Sequence, residues 1–341
     1  MPSLFPARAA CLLIAATTTA AAQDLKVITW KIGGAERDAD AVAMSAAAML
    51  DEVGPADILI LQEIIASAQV EAIADATGLG HWVISDFSPP EDVTNNPFAS
   101  LEVAILSDTP IVSAAEWDIT GPAANGDNYP PRPSSMSVLT EELAIGIDLN
   151  TAPTRGFLRA SIESGPVVYA VHWKSSRGQS CNAEDLGYAR QREDQAHGLA
   201  SDALTFVDDG QTVIIGGDFN IQAPGRALRV GTGRQEDCMP TGSCEGVCGA
   251  GGLDGYDDSL SVLLGLPGAQ ILSDELGPTF IGFDGDTGAI DHLIVAGANA
   301  AAFDKASAPT VTCDAFHGSD HRPVVAGAEA GLGSRHNSSS N

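Results

Sequence analysis

Residues 212–220 read T-V-I-I-G-G-D-F-N, an apolar, β-branched run that passes through two glycines and ends on an acid and an amide, Asp218 and Asn220. A short, unbroken apolar run of this kind reads as a buried strand, so its polar ending falls at a strand terminus. The same pattern recurs along the chain. "VITWK" (27–31) delivers Lys31, "ILILQE" (58–63) Glu63, "VVYAVH" (167–172) His172 and "AID" (289–291) Asp291, while "GSDHRP" (318–323) carries Asp320 and His321. A lone acid at a strand end is ordinarily a cap or a solvated turn, and a lone histidine is ordinarily a satisfied structural group. So many endings of one type on one chain point instead to a shared rim.

Between these strands the sequence reads as helix and loop. "DADAVAMSAAAMLDEVG" (38–54) is an alanine-rich amphipathic helix stopped by Gly54, and "AQVEAIADATG" (68–78) a second one ending at Gly78. "HWVIS" (81–85) and "LEVAILS" (101–107) read as strands, a long helix is expected over about Tyr188 to Val207, and a last short strand follows "HRP". Helices and strands alternate without a regular βαβ repeat, which predicts an α+β fold of two packed sheets with helices outside. The segment 117–156, rich in Pro, Gly and Asn, is expected to be a surface excursion, and the tail 330–341 to be disordered.

Composition narrows the function classes. Of 341 residues 44% are hydrophobic, enough for a full core. With 17 Lys+Arg against 45 Asp+Glu, the formal charge of -28 repels phosphate backbones and anionic lipid at long range, so nucleic acid could bind only through a local basic patch or bound cations. Arg8 precedes a short apolar run, Ala9 to Ala15, and the small residues Ala20, Ala21 and Ala22, the layout of a secretory signal. Residues 1–22 are therefore expected to be removed and 23–329 to form the folded domain of a secreted or periplasmic protein. No later run reaches the roughly 20 apolar residues of a spanning helix, so no stable membrane insertion is expected. Cys11 leaves with the signal. Cys181, Cys238, Cys244, Cys248 and Cys313 remain, and their spacing lacks the paired clusters of a zinc site, so disulfides are favoured.

If the strand ends converge, one rim holds Glu63, Asp218, Asp291 and Asp320 with Asn220, His172 and His321. Carboxylates at that density repel unless a cation neutralises them, and oxygen ligands favour Mg²⁺, with Mn²⁺ or Ca²⁺ as alternatives, over zinc. A hard cation, an imidazole beside a carboxylate and an amide donor suit attack of water on a phosphoryl centre.

"VITWKIGG", "ILILQEI", "VAILSDTPI", "AVHWKSS", "VIIGGDFN", "AIDHLIV" and "GSDHRPVV", in this order from about residue 25 to residue 328, resemble the successive motifs of the endonuclease/exonuclease/phosphatase superfamily, the deoxyribonuclease I-like fold. The resemblance implies a four-layer α/β/β/α sandwich and Mg²⁺-dependent cleavage of phosphoesters. It implies that Glu63 and Asp320 serve the metal, that Asp218 positions or activates water and that Asn220 holds a phosphate oxygen. His321, oriented by Asp291, and His172 would be the catalytic imidazoles, with the division between base and acid left open.

Lys174, Arg177, Arg190 and Arg192, in "HWKSSRG" and "YARQRED", are candidates for substrate phosphate, with solvated surface charge as the alternative; Arg155 and Arg159 are weaker ones. Trp30 and Trp173 read as core. Lys31 departs from the pattern, since the family usually has asparagine there and an ammonium offers donors only. It either supplies a fixed positive charge to the rim, which includes a place in substrate binding, or marks lost metal affinity, or turns to solvent through a one-residue slip. The favoured reading is an exported, monomeric, metal-dependent phosphodiesterase acting on nucleic acid. A sphingomyelinase-like phospholipase C, a small-molecule phosphatase and a non-catalytic binding or toxin-type subunit remain alternatives.

Overall fold

Two parallel crossovers, one in each of two sheets, fix where the strand ends lie. The computed structural model describes residues 25–35, 37–85, 101–117, 140–142, 156–175, 187–223, 259–282, 287–309 and 316–328. Strand β1 (Leu25–Lys31) leads through helix α1 (Ala39–Val53) to β2 (Ile58–Ile64), which lies parallel to it with Lys31 opposite Gln62. Asp38 caps α1 by accepting from the Ala41 amide at 2.7 Å, and Gly54 ends it at φ 86°. Helix α2 (Ser67–Thr77) stops at the left-handed Gly78, as the sequence predicts, before β3 (His81–Ile84) and β4 (Glu102–Ser107).

The second sheet begins with β5 (Ile111–Trp117), β6 (Thr140–Glu142), β7 (Phe157–Ile162) and β8 (Val167–His172). Helix α3 (Gly187–Asp208) then crosses over to β9 (Thr212–Asp218), which is parallel to β8 with His172 opposite Asp218. The short helix α4 (Ser259–Leu264) follows, with β10 (Gln270–Ile271), the small pair β11 (Phe280–Ile281) and β12 (Thr287–Gly288), β13 (Asp291–Gly297) and β14 (Val324–Ala328). Strand order is β14-β1-β2-β4-β3 in one sheet and β10-β13-β9-β8-β7-β5-β6 in the other. Strand β6 corrects one expectation: part of the segment read as a surface excursion pairs parallel with β5.

Alternation along each strand sorts the apolar side chains into three cores. Val27, Ile60, Ile105, Val168, Ile214 and Leu293 meet between the sheets. Ile28, Trp30, Leu59 and Leu61 face α1 and α2, while Tyr169, Val171 and Ile215 face α3 and α4. The result is the four-layer α/β/β/α sandwich, and Trp30 and Trp173 are core residues in it. Burial of each large aliphatic side chain contributes about 1.5–3 kcal/mol, which makes these layers the main source of stability.

Strands β1 and β2 run together, as do β8 and β9, and the 3.5 Å approach of Lys31 Nζ to Asp218 Oδ2 puts the carboxyl ends of all four at the same end of the sandwich. Strand β13 runs antiparallel to β9 with Asp291 opposite Asp218, and β14 is antiparallel to β1, so the residues entering these strands join that rim. Gly216 and Gly217 allow the approach. A Cβ at Gly216 would lie 2.7 Å from Ile60 Cδ1 across the sheets, and one at Gly217 would lie 1.9 Å from the Val171 carbonyl oxygen.

The expected signal (1–22), the tail (330–341), Arg155, Arg177 and the five cysteines left after the signal all lie outside the described residues. Among those described, no helix is long and apolar enough to cross a membrane.

Candidate active site

Glu63 reaches the rim through a break in strand alternation. Gln62 faces inward, donating to Thr29 Oγ1 at 3.0 Å, so a regular strand would turn Glu63 away. The pairing of β2 with β4 shifts register between Gln62 and Ile64, and Glu63 takes φ 60°. This bulge re-aims the carboxylate at an expense of about 1–2 kcal/mol in backbone strain. Glu63 Oε1 then lies 3.2 Å from Lys31 Nζ.

Lys31 therefore does not face solvent. Its side chain is 14% exposed, and Nζ also lies 3.5 Å from Asp218 Oδ2 and 3.1 Å from His321 Nε2. Burial opposes its charge, but Glu63, Asp218, Asp320 and Asp291 together outweigh burial and raise its pKa well above the ordinary lysine range. The rim carboxylates thus hold a permanent cation among them.

Asp218 is fully buried at the centre. Its Oδ1 accepts from the Asn220 backbone N–H at 2.9 Å, and Asn220, at φ 54°, donates its side-chain amide to the Trp173 carbonyl at 3.0 Å. Its Oδ2 has no hydrogen bond among the described residues and lies 3.5 Å from His172 Nε2 and 3.9 Å from His321 Nε2. Burial pushes this carboxyl above the usual carboxylate range against the pull of Lys31 and His321. Burial thus raises the basicity of the carboxylate that faces both imidazoles.

His321 is held from several directions. Nδ1 lies 2.7 Å from Asp291 Oδ2 and 3.0 Å from Oδ1, which leaves Nε2 turned to Asp218 and Lys31. Trp30 Nε1 donates to the His321 carbonyl at 3.0 Å, and Ser319 Oγ accepts the His321 amide while donating to the Lys31 carbonyl. Burial works against the imidazolium, yet Asp291 prevails and the pKa rises above the ordinary histidine value. Asp320, with its side chain 29% exposed, places Oδ1 3.8 Å from His321 Nε2.

The site thus unites Lys31, Glu63, His172, Asp218, Asn220, Asp291, Asp320 and His321. The expected basic flank is only partly there. Arg192 is fully buried and donates to the Lys174 carbonyl at 2.9 Å, so it braces the chain after β8 rather than presenting its charge to substrate. Lys174 is half-buried with its backbone N–H on Gln195 Oε1. Arg159 donates from Nη1 to both carboxylate oxygens of Asp202, at 2.6 and 2.7 Å, on the outer face. Three contributors escape a sequence reading: Ser319, the indole N–H of Trp30 and Phe280, whose ring centroid lies 5.0 Å from that of His321. Only Ser319 carries a local signal, its place just before Asp320.

Asp218, Asp291 and His321 offer ligand atoms that all lie within 4.8 Å of one another, and Asp218 Oδ2 is a buried acceptor without a hydrogen bond among the described residues. With Glu63 and Asp320 beside them, the donors fit a divalent cation in type and number. Lys31 Nζ stands among the same donors.

A model of the endonuclease/exonuclease/phosphatase family matches residues 28–321. The chain is similar in fold to an AP endonuclease from Archaeoglobus fulgidus (17% identity, TM-score 0.56, covering 89% of this chain and 98% of that one). It is likewise similar to the 3'-5' exonuclease NExo from Neisseria meningitidis (18%, 0.54, 89% and 98%) and to a 3' phosphatase NExo from Neisseria bound to product DNA hairpin (19%, 0.54, 89% and 99%). No curated protein matches the sequence.

Proposed function

The chain belongs to the endonuclease/exonuclease/phosphatase family and is a phosphoester hydrolase, and from that premise we propose that it is an exported phosphodiesterase that cleaves nucleic acid by water attack. The observation that carries the reading is Asp218 Oδ2, buried without a hydrogen bond among the described residues and flanked by His172 and His321. Asp218 orients the attacking water and takes its proton, and burial raises its basicity. His321, fixed by Asp291, and His172 stand on either side to donate to a phosphoryl oxygen or to the leaving oxygen. Asn220 gives one amide hydrogen to Trp173 and keeps a second for a phosphate oxygen. A divalent cation, Mg²⁺ in this proposal, would be held by Glu63 with Asp218 and Asp320 and would neutralise charge on the phosphoryl group.

Nucleic acid is favoured over lipid because the large hydrophobic side chains exposed among the described residues, Met44, Val112 and Leu204, belong to three different elements, α1, β5 and α3, rather than to one apolar loop. The DNA-bound Neisseria structure of similar fold agrees with this choice. Export rests on Arg8 and the apolar run after it, which would leave residue 23 near the start of the mature protein.

A panel of plasmid DNA, RNA, sphingomyelin, inositol phosphates and bis-p-nitrophenyl phosphate, each with Mg²⁺, Mn²⁺, Ca²⁺ or EDTA, tests the reading. Cleavage of plasmid DNA and of the small diester is expected. Turnover of sphingomyelin alone, or of nothing in the panel, would reject it.

A further inference from the structure

Lys31 sits where the rim's carboxylates meet. Its backbone is fixed by β-pairing and by Ser319, which donates to the Lys31 carbonyl, whereas among the described residues Nζ meets Glu63, Asp218 and His321. The four-carbon stem can rotate without moving the strand. Glu63 Oε1 and Asp218 Oδ2, at 3.2 and 3.5 Å from Nζ, are among the oxygens a divalent cation would need. An ammonium and a cation cannot use the same lone pairs, and their charges repel at short range.

We propose that Lys31 is a resident cation of the active site that competes with the divalent ion for Glu63 and Asp218, so that the ion enters only as the ammonium swings out. The ion-free rim then stays partly neutralised and folded, because one positive charge remains among Glu63, Asp218, Asp291 and Asp320. Metal occupancy becomes an exchange of one cation for another, set by ion concentration. The inference rests on the reading above only for the need of a cation. It stands or falls on metal binding, without substrate.

The experiment is calorimetric titration of Mg²⁺, and of Mn²⁺ with bound ion counted by electron paramagnetic resonance, into the full-length mature protein and its Lys31→Ala and Lys31→Asn variants. Both variants are expected to bind the ion at least about tenfold more tightly than the parent, since a charge in contact with the site has gone. Lys31→Ala without metal should melt lower than the parent, and saturating Mg²⁺ should raise its melting temperature by more. Lys31→Gln, which keeps a hydrogen-bonding head without the charge, serves if the alanine variant does not fold and should also bind more tightly. Equal dissociation constants across the parent and the folded variants would overturn the proposal, as would no detectable ion binding in any of them. Failure of the substrate panel would reject the nuclease reading and leave this result standing.

Discussion

His321 Nδ1 meets both carboxylate oxygens of Asp291, at 2.7 and 3.0 Å, and this pair bridges the two sheets at the catalytic end of the sandwich. Asp291 opens β13 in the seven-stranded sheet, while His321 enters β14 in the five-stranded one. The pair keeps the proton on Nδ1 and leaves Nε2 to face Asp218.

Asp291→Asn is therefore expected to lower kcat by about 10²-fold or more. The carboxylate raises the His321 pKa, so removing its charge lowers that pKa, and the histidine limb of the pH–rate profile should move to lower pH. A profile whose limb stays in place would show that Asp291 does not govern His321.

Asp218→Asn and His321→Ala should each reduce kcat by about 10²-fold or more, with a much smaller change in KM, because one handles water and the other a proton. Steady-state kinetics on bis-p-nitrophenyl phosphate, with circular dichroism to verify folding, checks this. Turnover within a few-fold of the parent in a folded variant would remove that residue from the mechanism.

Gly217→Ala should destabilise the fold by about 3 kcal/mol, since its Cβ would be driven into the Val171 backbone. Gly210→Ala has open space around it and only a φ of 78° to strain, so about 1 kcal/mol is expected. Urea denaturation of both variants measures the difference. Equal losses would mean that β8 and β9 tolerate spreading beneath the site.

Arg192→Ala should cost about 2–3 kcal/mol of stability through the lost brace on Lys174, with kcat and KM on a small diester near those of the parent at temperatures where it is folded. A variant with unchanged melting temperature and a several-fold higher KM would return Arg192 to the substrate.

Net acidity sets an unusual salt response. At -28 the protein repels DNA, so raising NaCl from about 10 to about 150 mM should lower KM for DNA while leaving KM for the small diester nearly constant. A KM for DNA that rises steeply with salt would indicate a basic binding surface instead.

What the sequence determined by itself was the set of strands that end on polar residues. Apolar, β-branched runs such as 212–217 form buried strands wherever they lie, and that local physics exposed Lys31, Glu63, His172 and Asp218 at strand ends, whereas Asp291, read as the end of the run 289–291, instead opens β13. The stops at Gly54 and Gly78 were equally local. The family motifs, read in order, supplied the four layers. Tertiary structure alone decided what those residues do to one another. The left-handed turn that brings Glu63 onto Lys31 depends on a register shift against β4, which no property of β2 alone encodes. Arg192 read as a cation near the site, yet helix packing buries it, because charge in a sequence carries no direction. Trp30 reaches His321 because β14 returns to pair beside β1, and Phe280 because an isolated bridge sets it against His321; whether Lys31 would meet water or four carboxylates was likewise a question of register and packing.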